Sequence, residues 1–407
     1  MTATLTSRIP AARLAFTTTR ATLADALTTV GLAVPKRPAV PALGGVLLQA
    51  ADGRLTLSAT DHETAVTVEV PGTSHTDGAL LLDHGEFAKL LGALVKGTSK
   101  RDADALPLTM RTRDDGTPVV ELGGYTMPVT AYSLQDYPAV TAAAPTVAHV
   151  ERAAFAADLA RVMVAVSTDP LFPAFTGVHL DIKPGAVTLA GTDRYRLAVA
   201  PLAAVSSAQP AENAQALVPG RAVAAVVKRF TGDRVRIGLD NPANPGTVSL
   251  TCDGVTVSVR TLTGPFPPYA TLLPASTPGR VQTDRAALLA ATRRAAAVLD
   301  AKRQGDRPVG LTITGDAVSV APLVDEHADA VAAPTHEATV AGITGTHLIR
   351  FNPAYLADAL ASFTGDTITL HTEASVNRPV LLTDAADGLT DPTAFLHLLM
   401  PLRAPAT

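Results

Sequence analysis

Gly185-Ala186-Val187-Thr188-Leu189-Ala190-Gly191-Thr192-Asp193 repeats a stretch met earlier in the chain, Gly53-Arg54-Leu55-Thr56-Leu57-Ser58-Ala59-Thr60-Asp61, with every position displaced by the same amount. Both read as a glycine turn, an alternating strand and a Thr-Asp end. The displacement recurs. Arg20-Ala21-Thr22-Leu23-Ala24-Asp25 returns at the same offset as Arg152-Ala153-Ala154-Phe155-Ala156-Ala157, and a second time, at an offset one position longer, as Arg285-Ala286-Ala287-Leu288-Leu289-Ala290. Gly45-Val46-Leu47-Leu48 is matched by Gly177-Val178-His179-Leu180 at the first offset, and Gly310-Leu311 follows at the second. In the third copy Asp316–Ala321 keeps only the strand. Several features at one spacing identify a repeated unit, and a repeat sets the fold before any local reading does. The class is α+β: three successive units, each with two helices packed on antiparallel sheets.

Apolar spacing places the helices at about 20–33, 84–96, 152–167, 220–230, 284–299 and 353–363. The second helix of each unit has a capping candidate: Asp83, Pro219-Gly220, and Asn352 with Pro353 in the first helical position. Strands at Val46–Gln49 and Arg54–Ala59 flank the Asp52-Gly53 turn. Proline-rich segments separate the units, from Asp136-Tyr137-Pro138 to Pro145 and from Pro265-Phe266-Pro267-Pro268-Tyr269 to Pro278. The expected organisation is a loose tail over 1–14 and domains over 15–140, 146–270 and 276–407.

With 407 residues and 47% apolar content there is material for a core in each unit. The net charge of −4 does not announce a polyanion-binding protein, but a net charge hides local basic surface. A single cysteine, Cys252, excludes an internal disulfide and fits a reducing, cytoplasmic setting. No apolar run approaches the roughly 18 residues of a membrane helix.

Basic residues concentrate on the expected helices. Lys89 and Lys96 are seven apart, and Arg221, Lys228 and Arg229 make one stripe. Arg285, Arg293 and Arg294 repeat that spacing, Lys302-Arg303 follow, and Arg152 and Arg161 lie on the third helix. The sixth helix carries Asp358 and no Lys or Arg. Lined along one surface, such stripes bind phosphates without reading bases.

Thr192-Asp193-Arg194-Tyr195-Arg196 resembles a reactive cluster, but nothing accompanies it. Gly92-Ala93-Leu94-Val95-Lys96-Gly97-Thr98-Ser99 has the glycine spacing of a phosphate loop, with Thr98 where lysine belongs. There is no H-E-x-x-H, paired-cysteine or G-x-S-x-G pattern. Neither a catalytic residue, a metal nor a cofactor is expected.

Five motifs then carry a family resemblance. Thr192-Asp193-Arg194-Tyr195-Arg196-Leu197-Ala198-Val199 resembles the T-D-x-x-R-L-A-V signature of bacterial DNA sliding clamps, the β subunits of DNA polymerase III. Phe266-Pro267-Pro268-Tyr269 through Leu272-Leu273-Pro274, Phe351-Asn352-Pro353-Ala354-Tyr355-Leu356, Leu399-Met400-Pro401-Leu402-Arg403 and Arg37-Pro38-Ala39-Val40-Pro41-Ala42-Leu43 resemble four further family motifs.

The resemblance implies the DNA-clamp fold: two chains pair head to tail into a six-domain ring around duplex DNA, bound without sequence preference. It implies a processivity factor, not an enzyme. The ring tethers the replicative polymerase, the clamp loader and repair proteins through short Gln-Leu-x-Leu-Phe-type peptides. The peptide-docking positions would be Phe175, Thr192, Arg194, Tyr195, Arg196, Leu197, Pro267, Leu272, Leu398, Met400, Pro401, Leu402 and Arg403. Apolar residues with a flexible methionine suit leucine and phenylalanine anchors, and rim arginines suit carboxylates. The DNA-facing residues would be Arg37, Lys89, Lys96, Arg152, Arg161, Lys228, Arg229, Arg293, Arg294 and Arg303. The homodimer seam would join basic Arg111 and Arg113 to acidic Asp325, Glu326 and Asp329, with Tyr125, Val298 and Leu299 as its apolar part.

The chain also departs from the family pattern. Arg194-Tyr195 stands where many members read Gly-His, a variant resembling clamps of high-GC Gram-positive bacteria. Phe175 is large where an aliphatic residue is common, His397 replaces an aromatic, and Ala404–Thr407 replaces the usual terminal leucine. Together these suggest a divergent copy. The alternative to a working clamp is a specialised second clamp whose altered groove evades a clamp-directed antibiotic.

Overall fold

Short polar side chains open most of the helices, as the sequence requires of residues that leave four N–H groups unpaired. The fold is that of a computed structural model describing residues 13–51, 53–206, 213–274, 276–324, 331–384 and 389–403. Thr19 Oγ1 accepts the Thr22 N–H at 3.2 Å and opens α1 (Arg20–Val30). Asp83 Oδ1 accepts the Glu86 N–H at 2.7 Å and opens α2 (His84–Ala93). Ser99 opens the short α3 (Lys100–Ala105), which no apolar stripe announces. After α4 (Arg152–Met163) and α5 (Gly220–Val227), Asp284 caps α6 (Arg285–Ala301) through the Ala287 N–H at 2.6 Å. Asn352 caps α7 (Pro353–Ala361) through two N–H groups, with Pro353 first in the helix, where no donor is needed. The expected caps Asp83 and Asn352 are both present. Asp52, the residues 1–12 of the expected tail and Ala404–Thr407 lie outside the described residues. Leu14 is buried, and its N–H reaches Thr112 Oγ1 at 3.2 Å.

Packing divides the chain into two compact units. The first holds the described residues up to 153, 205–206 and 222–261. It contains a continuous antiparallel sheet in the order Ala131–Tyr132, Gly78–Asp83, Gly45–Ala51, Arg54–Thr60, Thr64–Val70, Val255–Arg260, Thr247–Cys252, Arg234–Leu239 and Thr146–Glu151. The joint is the pairing of Thr64–Val70 with Val255–Arg260, in which Val66 faces Val257. It satisfies two strands that would otherwise be open edges. The joint crosses the boundary between the first two sequence copies, so compactness does not follow the repeat. A second sheet in this unit runs Thr73–Thr76, Ala15–Thr19, Pro107–Thr112, Pro118–Leu122, Tyr125–Pro128.

The second unit holds 154–204, 213–221 and the described residues from 262 onward. Its main sheet runs Ala214–Pro219, Gly177–Lys183, Ala186–Thr192, Arg196–Ser206, Leu396–Leu399, Val380–Thr383, Thr367–Thr372, Gly279–Asp284, Thr335–Ala341. Thr335–Ala341 also starts a second sheet through Ala317–Pro322, Val309–Thr314 and Thr346–Phe351.

The repeat is visible in how each first helix is tied down. The backbone N–H of Arg20 donates to Leu106 O, that of Arg152 to Asp233 O and that of Arg285 to Asp366 O, at 2.9, 2.9 and 2.8 Å. Arg152 Nε donates to Gly232 O and Arg285 Nε to Gly365 O, both at 2.5 Å, while Arg20 pairs with Asp104. Gly53 and Gly185, at matching positions of the first two copies, turn equivalent hairpins at φ +73° and +81°, where a β-carbon is disfavoured.

Candidate functional site

The Thr-Asp-Arg-Tyr-Arg stretch is a hairpin turn bonded to itself. Thr192 ends the strand Ala186–Thr192, and its Oγ1 donates to Arg196 O at 2.7 Å and accepts the Arg194 N–H at 3.2 Å. Asp193 Oδ1 accepts the N–H groups of Tyr195 and Arg196, each at 3.0 Å. Its Oδ2 accepts from Arg196 Nε at 2.9 Å. The Asp193 carboxylate is thus committed to the turn backbone and to the Arg196 guanidinium, and its bond to Tyr195 is made to the backbone N–H, not to the phenol. Among the described residues no His, Cys, Asp and Glu side chains group to hold a metal.

The turn meets the C-terminal strand. Arg196 pairs with Leu399 and Leu197 with Leu398. The Met400 N–H continues the ladder to Tyr195 O at 2.9 Å, and the Leu402 N–H donates to Arg350 O at 2.8 Å. Leu197 and Leu398 join Ala190, Val199 and Leu381 in one buried cluster, against which Phe266, Tyr269 and Leu273 of the linker pack. The linker is pinned from below: Phe266 stacks on His179 at 4.8 Å between centroids, and the Tyr269 hydroxyl donates to Asp181 Oδ2 at 3.3 Å. Burial first, and then the Asp181 charge, push the Tyr269 hydroxyl up to about 12. Tyr195, Leu272, Met400 and Leu402 remain exposed at 51, 48, 42 and 38%. Pro267 is half-buried, Pro401 buried and Arg403 exposed.

Three expected groove residues take other places. Leu197 and Leu398, at 2 and 5% exposure, belong to the buried apolar cluster and do not face solvent. Arg196 is not a free rim cation: its side chain is 11% exposed, bonded to Asp193 and Asp358 at 2.9 Å each and stacked 4.3 Å from the Tyr355 centroid. Tyr355 and Asp358, one helical turn apart on α7, are the partners that sequence reasoning missed. The acidic residue that made the sixth helix look anomalous is what Arg196 requires. Arg194 lies over Phe172, another residue not singled out, and half-buried Phe175 sits 6.2 Å from the same ring.

The basic candidates divide. Arg37, Lys89, Lys96, Lys228, Arg293, Arg294 and Arg303 are exposed and carry no ion-pair partner among the described residues. Arg229 is partly exposed and meets Asp25 at 3.4 Å. Arg152 and Arg161, also expected to face DNA, are held by partners within the chain. Arg152 is held by Gly232 O. Arg161 donates to Ser362 O at 2.9 Å, pairs with Asp158 at 3.1 Å and Asp384 at 3.8 Å, and lies 3.7 Å from the Phe395 centroid. Burial raises the Asp158 carboxyl despite the Arg161 charge beside it.

The seam candidates divide too. Tyr125, 59% exposed, lies on the edge strand Tyr125–Pro128, and Arg113 and Val298 are exposed. Arg111 lies on the interior strand Pro107–Thr112 and is bonded to Glu121 at 2.7 Å, so its charge is largely matched within the chain. Leu299 has no exposure and belongs to the core. Asp325, Glu326 and Asp329 lie outside the described residues.

Comparison with known proteins adds the following. Residues 14–104 match the family described as DNA polymerase III beta subunit, N-terminal domain, and residues 149–268 match its central domain. The beta sliding clamp of Streptomyces coelicolor is 29% identical over 389 residues, covering 94% of this chain and 98% of that protein. That of Micrococcus luteus is 30% identical over 288 residues, covering 70 and 88%. The beta sliding clamp homolog GriR of Streptomyces muensis is 27% identical over 400 residues, covering 95 and 99%. The crystal structure of the Bacillus subtilis sliding clamp superposes with a TM-score of 0.81 at 20% identity, covering 96% of this chain and all of that one.

Proposed function

Because this chain belongs to the beta sliding-clamp family of DNA polymerase III, we propose that it is a cytoplasmic processivity factor that closes as a head-to-tail dimer around duplex DNA. It holds the replicative polymerase, the clamp loader and repair proteins by short peptides seated on the C-terminal strand and the linker. In this reading the chain forms three clamp domains, 15–140, 146–270 and 276–407, and carries no catalytic site of its own. One observation carries the docking assignment. Tyr195, Leu272, Met400 and Leu402 leave apolar side chains in solvent, beside a pinned linker and above a closed core. Exposed apolar side chains set together mark a binding surface. The exposed lysines and arginines supply sequence-blind phosphate contacts, and enclosure by the ring lets weak contacts suffice.

The test is fluorescence anisotropy with a labelled Gln-Leu-x-Leu-Phe peptide. Saturable binding that Met400→Ala weakens supports the reading; no binding by a folded dimer removes it. A second reading, a specialised clamp with an altered groove that evades a clamp-directed antibiotic, is favoured by the Arg194–Phe172 stack beside half-buried Phe175. It keeps the dimer and the ring but predicts weakened binding of a groove-directed inhibitor.

A further inference from the structure

Arg194 adopts φ +82°, a backbone conformation that glycine takes freely and other residues take at a cost. Its side chain is therefore the reason to look at the position. The guanidinium lies 4.1 Å from the Phe172 centroid, 6.0 Å from that of Phe175 and 5.8 Å from that of Tyr195. Such a bed holds a planar cation by its face and leaves its N–H edge directed outward. The nearby carboxylates are engaged elsewhere: Asp193 and Asp358 pair with Arg196, and Asp169 Oδ1 accepts the Leu171 N–H. Arg194 itself makes no ion pair among the described residues. An exposed, oriented and uncompensated guanidinium thus stands one residue from Tyr195, whose carbonyl anchors Met400.

We propose that Arg194 is a specificity-determining residue of the docking surface: held on Phe172, it selects peptides that carry a carboxylate beside their apolar anchors. The inference rests on the peptide-docking reading given above. Arg196 cannot take this part, since its side chain is 11% exposed and its Nε and Nη1 already meet Asp193 and Asp358. A carboxylate accepts two parallel N–H bonds from a guanidinium edge, whereas an amide of the same shape offers one acceptor and a donor that faces the wrong way.

The experiment uses two matched pairs of labelled peptides, Gln-Leu-Asp-Leu-Phe against Gln-Leu-Asn-Leu-Phe, and Gln-Leu-Asn-Leu-Phe-Asp against Gln-Leu-Asn-Leu-Phe-Asn, all C-terminally amidated, with the intact dimer. At low salt, Arg194 should favour the acidic member of at least one pair by about five-fold, the ratio falling toward one at high salt. In R194Q the same ratio should fall below about two. A purely structural role for the stack would not move that ratio. Equal affinity for acidic and amide peptides, or a preference that survives R194Q, overturns the inference and leaves the docking reading intact. Binding of none of the four peptides by the folded dimer removes the docking reading, and this inference with it.

Discussion

The N–H of Met400 donates to the carbonyl oxygen of Tyr195 at 2.9 Å, so the backbone that presents the methionine is fixed although its side chain is 42% exposed. Shape is supplied by the ladder and adaptability by the thioether. In the peptide-docking reading, Met400→Ala should weaken a Gln-Leu-x-Leu-Phe peptide by roughly ten-fold, since truncating a central anchor commonly costs about 1–2 kcal/mol. The same variant should unfold within about 0.5 kcal/mol of the parent, as surface truncations do. Anisotropy and urea unfolding on one preparation separate the two effects. A large loss of stability would mean that the side chain belongs to the core.

Arg196 and Asp358 should give unequal results although they share an ion pair. Arg196→Ala leaves the Asp193 side chain, 10% exposed, without its cation and removes the stacking partner of Tyr355. Uncompensated buried charge costs about 3 kcal/mol. Asp358→Asn removes a partner whose side chain is 53% exposed and should cost less than about 1 kcal/mol. Chemical unfolding of the two variants checks the order. Equal losses would show that the half-exposed arm of the pair matters as much as the buried one.

Exposure separates the arginines that hold the fold from those free to meet DNA. Arg161→Ala should lower stability by about 2–3 kcal/mol, because it strands Asp158 and uncovers Phe395. Arg293→Ala with Arg294→Ala should leave unfolding unchanged, for both side chains are exposed. In the DNA-encircling reading that double variant instead lowers the slope of log affinity against log salt by up to about two. Salt titrations of duplex binding measure it.

The features legible in the sequence were those written at a fixed spacing. The constant offset between copies reveals the repeat, and the Asp83 and Asn352 caps are local signals read within one helical turn. Two kinds of information were not written locally. Pairing of Val66 with Val257 joins a strand of the first copy to one of the second, so the compact units cut across the repeat. The fate of a charge depends on what packs on it: Arg161 and Arg293 look alike on helical wheels, yet one is clasped by Ser362, Asp158 and Phe395 and the other is free. Arg196 was readable as a motif residue, but its partners Tyr355 and Asp358 come from α7, in the third copy of the repeat. A single letter such as Asp358 gains meaning only when that distance closes.

His397, fully buried on the C-terminal strand Leu396–Leu399, should make the protein acid-sensitive. Burial first, then the nearby Arg196 and Arg161 charges, push its imidazole down to about 3. His371 is pushed down to about 4 by burial and Arg280. Both pKa values lie below that of an unfolded histidine, near 6.5, so the unfolded chain binds these protons more readily than the native one. The stability is fully present above about pH 6.5 and is lost as pH falls from there toward the folded values. At pH 5.5 each histidine should have cost about 1 kcal/mol relative to pH 7.5. His397→Leu isolates one of them: Ser362 Oγ keeps its bond to Ala359 O at 2.6 Å, so no donor is orphaned. The difference in unfolding free energy between pH 7.5 and 5.5 should shrink by about 1 kcal/mol in the variant. Asp158, raised by burial, titrates in the opposite sense in both proteins and cancels from the comparison. An unchanged pH dependence in His397→Leu would mean that His397 is protonated in the native protein, with its charge accommodated beside Arg196.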